Sequence, residues 1–203
     1  MALPTDLALP YEFAAPLVTE RLRLRPQNPG DLEDVHAYQS RDDVCRYLLY
    51  EPRTREQLTE KLTAHEASVI LAVDGDYVQL AMELPGTPSL GDPQRPRVIG
   101  DLYFTIASVE NSKAEIGWTL HPDFHGQGYA AEAARAVLDL AFGRMRLHRV
   151  VAELDPRNDA SIALCRRLGM REEAFFAKDL WFKGAWADTG MYAILDSEWA
   201  ARA

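Results

Sequence analysis

The chain has little cysteine and no long apolar run. Its two cysteines, Cys45 and Cys165, lie far apart in sequence. They could form one disulfide, but two cysteines do not make the disulfide framework of a small secreted protein. No apolar stretch approaches the roughly 20 residues that cross a bilayer as a helix. The first sixteen residues carry Asp6 and Glu12 among prolines, unlike a secretory signal peptide. These absences favour a cytoplasmic protein with no membrane partner.

Basic charge is also scarce. Lysine and arginine number 22 against 31 aspartates and glutamates, which gives a formal net charge of -9 at pH 7. Nucleic acid is therefore not expected as the main partner, because phosphate backbones demand a basic surface. The 203 residues are 47% hydrophobic and 26% charged, which is typical of a globular protein and sufficient for one good-sized domain.

Apolar periodicity and capping residues divide the chain into alternating elements. Strands are predicted at 19–25, 69–73, 77–84, 98–107, 113–120, 148–154, 170–180 and 188–195, and helices at 31–40, 54–68, 127–143 and 159–168. Asp74-Gly75 predicts a hairpin turn between 69–73 and 77–84. Residues 1–16 are expected to form an extended or poorly ordered arm, and 85–97, with four prolines and two glycines, a long loop. This order describes a mixed sheet with helices on its faces.

The most informative segment is His121-Pro-Asp-Phe-His-Gly-Gln-Gly-Tyr-Ala-Ala-Glu-Ala-Ala134. It places Gly126 and Gly128 between a predicted strand and a strong helix start. Glycines let backbone N–H groups turn towards a ligand, and the helix adds unpaired amides and the positive end of its dipole. The segment therefore predicts an anion site for a phosphate or pyrophosphate.

Two nucleotide-binding interpretations compete for this loop. A P-loop is excluded, because the chain contains no G-x-x-x-x-G-K-[ST] segment. Gly126-x-Gly128-x-x-Ala131 does fit a dinucleotide fingerprint, with Asp155 as a ribose-binding acid. However, the motif leaves only about seventy residues to complete the sheet, and the preceding strand is amphipathic rather than fully apolar. NAD binding is thus the less favoured alternative.

A second motif follows the strand at 148–154, namely Asn158-Asp-Ala-Ser-Ile-Ala-Leu-Cys-Arg-Arg-Leu-Gly-Met170. Taken with the glycine loop, it resembles the GNAT superfamily of acetyl-CoA-dependent N-acetyltransferases. The family loop is [R/Q]-x-x-G-x-[G/A], which Gly128 and Ala130 match while His125 replaces the first residue. The Rim-type branch, which includes ribosomal-protein N-terminal acetyltransferases, is indicated by three further segments: Thr19–Pro26, Ala114–Trp118 and Asp188–Trp199.

The resemblance covers residues 17–199 and implies a single α/β (α+β) domain. Its mixed, mostly antiparallel sheet would be flanked by helices and splayed where acetyl-CoA inserts. The implied reaction is direct acetyl transfer to a primary amine, either a protein N-terminal α-amine or a small-molecule amine, without a metal. A non-catalytic acyl-CoA-binding or regulatory module is the alternative, because His125, Cys165 and Met170 depart from the family pattern. Homodimer formation is left open.

The resemblance also implies a set of cofactor-binding residues. The pyrophosphate would lie on the loop formed by His125, Gly126, Gln127, Gly128, Tyr129 and Ala130. The pantetheine arm would pair with the backbone of Trp118, Thr119 and Leu120. Asn158 and Ser161 would contact the cofactor from the next helix, which Asn158 also caps.

Acetyl transfer also needs a base for the amine and a proton for the leaving thiolate. Glu115 is the expected base, on the strand face opposite Ile116 and Trp118, with Asp101 on the neighbouring strand as the alternative. Cys165 takes the position at which family members often have a tyrosine that protonates the departing thiolate. Ser161 lies one helical turn before it. Either side chain, or a water molecule, could supply the proton.

Overall fold

The computed structural model describes residues 7–202, which form a central sheet with helices on both faces. The strands are β1 (Tyr11–Glu12), β2 (Leu17–Val18), β3 (Arg23–Pro26), β4 (Ile70–Leu71), β5 (Tyr77–Pro88), β6 (Pro96–Ser108), β7 (Lys113–Leu120), β8 (Arg149–Leu154), β9 (Arg171–Phe182) and β10 (Ala185–Leu195). The helices are α1 (Leu32–Gln39), α2 (Asp42–Cys45), α3 (Arg55–Ala67), α4 (Tyr129–Asp139), α5 (Asp159–Leu168) and α6 (Asp196–Ala200). In the described part of the chain, no helix is both long and apolar enough to cross a membrane.

Eight strands join in the order β2-β3-β5-β6-β7-β8-β10-β9. Neighbouring strands in this sheet are antiparallel except β7 and β8, which run parallel. The connection between these two strands contains α4, as a parallel crossover requires. The expected single α/β domain with a mixed, mostly antiparallel sheet is confirmed.

The two sheet faces differ in how they are covered. α4 and α5 pack on the face that carries Ile116, Val150 and Ala152, and the larger hydrophobic core lies there. α4 contributes an apolar stripe, with Ala133, Ala134, Val137 and Leu138 all buried, and then continues as a π-helical turn at Leu140–Arg144. α1 and α3 form a smaller core on the opposite face, against β5 and β6.

Two local predictions are wrong. The Asp74-Gly75 turn forms, with Gly75 at φ 88°, but its flanking segments do not pair with each other, because β4 pairs with β1. Residues 85–97 are not one loop, because β5 extends to Pro88 and β6 begins at Pro96. Buried Asp34 ties this hairpin to α1 by accepting hydrogen bonds from the Leu90 and Val98 amides at 2.8 and 2.9 Å.

The N-terminal arm is extended, as expected, but it is also packed against the domain. β1 pairs with β4, the Ala8 amide donates to the Met145 carbonyl at 2.9 Å, and Phe13 is buried in the main core. Residues 1–6 of the predicted arm lie outside the described residues.

Candidate active site

The sheet opens between its two parallel strands. β7 pairs with β8 only from Lys113 to Glu115, opposite 149–151, although β7 continues to Leu120 and β8 to Leu154. Beyond the Glu115–Val151 pair the two strands separate, which leaves a wedge-shaped gap with Glu115 at its apex. Strand edges at such a gap carry backbone donors and acceptors that can pair with an extended ligand. The splayed sheet predicted from the family resemblance is thus observed.

The glycine loop follows the end of β7, at the mouth of this gap. Gly126 and Gly128 have φ angles of 75° and 84°, in the left-handed region that favours glycine. A Cβ atom on Gly126 would meet no atom within 4 Å, so this side of the loop is open. The helical ladder begins with the Glu132 amide, which donates to the Gly128 carbonyl at 3.0 Å. The earlier amides of the first turn are thus available to a ligand.

His125 turns back towards β7. Its Nε2 donates to the carbonyl oxygen of Leu120 at 3.0 Å. In this position the imidazole connects the loop to the end of the strand, and its ring is engaged with protein backbone. The structure therefore gives His125 a role in holding the loop.

Two side chains meet from opposite sides of the gap. The indole Nε1 of Trp118, on β7, donates to the Ser161 hydroxyl of α5 at 3.2 Å. Asn158 caps α5 as predicted, because its Oδ1 accepts the Ser161 amide at 3.1 Å. The Ser161 oxygen accepts from tryptophan and keeps its own proton for another acceptor.

Glu115 is half-buried on the face opposite Ile116 and Trp118. Burial, and secondarily the nearby Glu153 carboxylate on β8, raise its pKa above the ordinary value of 4.5. A carboxylate with a raised pKa is a stronger base than an exposed glutamate.

Asp101, the alternative base, is enclosed. It is 2% exposed, and its carboxylate accepts hydrogen bonds from Tyr38 Oη, Gln39 Nε2 and Gln79 Nε2 at 2.5, 2.8 and 2.6 Å. Burial raises its pKa, while these three donors oppose the shift. Asp101 is therefore fully engaged with side chains of α1 and β5. Of the two carboxylates, Glu115 is the more exposed to solvent.

Cys165 is completely buried in the main core, and burial raises its pKa to about 12. A thiol with such a pKa is a poor proton donor to a thiolate whose reference pKa is about 8.5. Its surroundings are those of an apolar packing residue. Of the two side chains expected as acids, the geometry favours Ser161.

Several residues of this region had no role in the sequence interpretation. Arg53 lies over the Tyr50 ring at 3.6 Å and donates to Gln39 Oε1 at 2.6 Å. Lys183, in the turn between β9 and β10, donates to the Cys45 carbonyl at 2.7 Å, so this turn contacts the last residue of α2. Arg21 contacts the glycine loop from the segment before β3. Only Arg21 lies in a motif noted in the sequence, and its spacing gave no indication of a partner.

A parallel strand pair that splays towards a glycine-lined helix start defines a class of acyl-coenzyme A-dependent transferases. The chain belongs to the GNAT acetyltransferase family: the profile described as "Acetyltransferase (GNAT) domain" matches residues 21–171. The expectation of an N-acetyltransferase enzyme is confirmed at this level, and the NAD-binding alternative is overturned. The family uses acetyl-CoA. Among residues 7–202 no cluster of three or more potential metal ligands is present.

Relatives and solved structures agree with this assignment. The chain is 44% identical over 183 residues to the uncharacterized N-acetyltransferase YnaD of Bacillus subtilis (strain 168), covering 90% of this chain and 98% of the relative. A GNAT-family acetyltransferase structure from Bacillus anthracis has a TM-score of 0.78 at 30% identity, covering 91% and 100% of the two chains. A spermidine N-acetyltransferase from Vibrio cholerae, in complex with CoA and spermine, has a TM-score of 0.71 at 22% identity, covering 89% and 98%.

Proposed function

We propose that this enzyme transfers the acetyl group of acetyl-CoA to a primary amine inside the gap between β7 and β8. The observation that carries the proposal is that strand pairing ends at Glu115 and Val151 while the glycine loop closes the far end of β7. The gap therefore joins an anion site to a carboxylate at its apex. A thioester anchored by its diphosphate and extended along β7 would point its acetyl group towards that carboxylate.

The residues present suit coenzyme A. The N–H groups at Gly126–Ala130 would hold the diphosphate, since they precede the first helical hydrogen bond of α4. The free edge of β7 at Trp118, Thr119 and Leu120 would pair with the amides of the pantetheine arm, and Asn158 would contact the arm from α5. Bound acetyl-CoA supplies an activated thioester, and the protein supplies position and proton transfer.

Glu115 would accept a proton from the protonated amine, directly or through one water molecule. The neutral nitrogen then forms a bond to the acetyl carbon, and a β7 backbone N–H near Trp118–Leu120 stabilises the developing oxyanion. As the carbon–sulfur bond breaks, the Ser161 hydroxyl would give its proton to the departing thiolate. It would regain one, through water, from the acetylated nitrogen, which must lose its second proton to become a neutral amide. Trp118 holds this hydroxyl in place through the 3.2 Å hydrogen bond.

We propose a cationic amine as acceptor. The net charge of -9 and the carboxylate at the apex both favour a positively charged substrate. Two sources share this chemistry. The Vibrio cholerae neighbour is a spermidine N-acetyltransferase, which favours a polyamine. The Rim-like segments, such as Thr19–Pro26, favour a protein N-terminal α-amine.

Steady-state acetylation tests this proposal. The purified chain would be supplied with acetyl-CoA and either spermidine or short peptides with free N-termini, and CoA release would be followed. Transfer to either acceptor, confirmed by the mass of the product, supports the proposal. An N-terminally blocked peptide without lysine is the matched control. Binding of acetyl-CoA without transfer to any amine would instead support a regulatory module.

We further propose that two copies associate through the edge of the sheet at β9. Among residues 7–202, this strand pairs only with β10. Large aromatic side chains lie exposed on the two strands: Phe175 at 54%, Trp181 at 60% and Trp186 at 58%. Apolar edge strands of this kind are usually covered. Light scattering should give the mass of a dimer, and a Phe175→Glu, Trp181→Glu double variant the mass of a monomer. A monomeric parent would contradict the proposal.

A further inference from the structure

Arg21, in the segment before β3, contacts the glycine loop through a backbone carbonyl. Its Nη1 donates to the carbonyl oxygen of Gln127 at 3.0 Å, and a Cβ atom on Gly128 would lie 3.6 Å from its Nη2. The guanidinium also lies over the Tyr129 ring, 4.5 Å from its centroid. One arginine thus contacts Gln127 and Tyr129 and lies beside Gly128, in the loop that would hold the diphosphate.

Glu132 fixes this arginine. Its carboxylate accepts from Arg21 Nε at 2.7 Å, from the Arg21 backbone amide at 2.8 Å and from the Thr19 hydroxyl at 2.6 Å. Glu132 lies in the first turn of α4, so these bonds join the start of the helix to the segment before β3. Arg21 is therefore held on both sides, by the carboxylate and by the loop carbonyl.

The hydrogen bond to Gln127 has a consequence for Gly128. The two groups belong to one planar trans peptide, so the carbonyl and the N–H point in opposite directions. With the Gln127 carbonyl held towards Arg21, the Gly128 N–H must point away from it, to the other side of the loop. Gly128 has φ 84° and could otherwise rotate easily between alternatives.

We infer that Arg21, locked by Glu132, is a positioning residue that orients the Gln127–Gly128 peptide so that its N–H faces the coenzyme A diphosphate. This inference rests on the proposed use of acetyl-CoA. Arg21 acts through the backbone, with its charge balanced by Glu132. Arg21 would therefore not bind the phosphate by its own charge, as an unpaired arginine would.

Three variants and a control test the inference. Arg21→Met removes the hydrogen-bond donors. Arg21→Lys keeps the positive charge but loses the planar guanidinium, which bonds Glu132 and the Gln127 carbonyl at once. Glu132→Gln removes the negative charge that holds Arg21 in place. Arg23→Met is the matched control, because Arg23 lies two residues along and its ion-pair partner is Glu83, at 3.9 Å, away from the loop. The melting temperature of each variant shows whether it is folded.

Calorimetric titration with CoA and dephospho-CoA is the first readout, since both contain the diphosphate. We expect Arg21→Met to bind each about tenfold more weakly, Arg21→Lys and Glu132→Gln to be similarly impaired, and Arg23→Met to match the parent. Acetyl-pantetheine, which lacks the diphosphate, is the second readout. Its kcat/KM with the best acceptor should stay within about a factor of two of the parent in Arg21→Met.

Each other outcome overturns the inference. Unchanged CoA binding by folded Arg21→Met shows that the contact does not matter, and full affinity in Arg21→Lys shows that charge rather than orientation is used. An equal loss with acetyl-pantetheine indicates general damage to the site. If the parent chain itself fails to bind CoA, the proposed function and this inference both fail.

Discussion

Glu115 occupies the last paired position before the two strands separate, and this position fits the role of base that we propose for it. It is far enough inside the gap to lose hydration, and Glu153 adds a second negative charge nearby. Both effects favour the protonated form and raise its pKa above 4.5. The carboxylate works as a base only when deprotonated, so activity should fall as pH falls through this raised pKa.

We therefore expect Glu115→Gln to lower kcat by about 100-fold at neutral pH. The acid limb of the kcat–pH profile, which in the parent should lie above pH 4.5, should be lost in the variant. The measurement is kcat from pH 5 to 9 with an N-terminal peptide as acceptor. If the profiles of parent and variant coincide, Glu115 is not the base.

Ser161 and Cys165 allow a second comparison at this scale. Ser161→Ala should lower kcat by about tenfold or more, because it removes the group that we propose as proton donor to the thiolate. Cys165→Ala should retain kcat, because this thiol is buried in the core, although lost packing should destabilise the protein by about 1 kcal/mol. Both are read from kcat and from urea unfolding. A selective loss of kcat in Cys165→Ala would restore the cysteine as the acid.

The sequence indicates some of these residues because their roles follow from local patterns. The cap at Asn158 and the strand face of Glu115 depend on spacing within one element. The three donors to Asp101 come from α1 and β5, and Glu132 lies 111 residues after Arg21. Such contacts depend on how elements pack, so no single-sequence pattern predicts them.

At the scale of elements, α5 is capped by Asn158, for which we also propose a contact with the pantetheine arm. Asn158→Ala removes the 3.1 Å hydrogen bond to the Ser161 amide and should cost about 1 kcal/mol of unfolding free energy. Asn158→Asp retains a cap acceptor but loses the amide donors. It should therefore keep stability while the KM for acetyl-CoA rises. An unchanged KM in Asn158→Asp would contradict a contact with the pantetheine arm.

The elements were predicted well where the pattern is strong and poorly where long-range pairing decides. β7 and α5 have the predicted bounds, 113–120 and 159–168. β4 pairs with β1 instead of β5, because the N-terminal arm lies alongside it. Within proline-rich 85–97, β5 and β6 extend inwards and leave a shorter loop at 89–95. Asp34 accepts from the Leu90 amide and Asp31 binds Arg95, and composition cannot indicate such contacts.

For the whole molecule, the gap is a region where the sheet has not completed its hydrogen bonds. A ligand that fills it should connect β7, α4 and α5 and stabilise the fold by mass action. CoA at about 100 times its dissociation constant should add about 2.7 kcal/mol, which for a domain of this size raises the melting temperature by about 5–10 °C. NAD, which offers a diphosphate but no pantetheine arm, is the matched control and should give a much smaller shift. Thermal unfolding with and without each ligand measures this directly. Equal shifts with CoA and NAD would mean that the loop binds a diphosphate without using the gap, and the extended thioester pose would then be wrong.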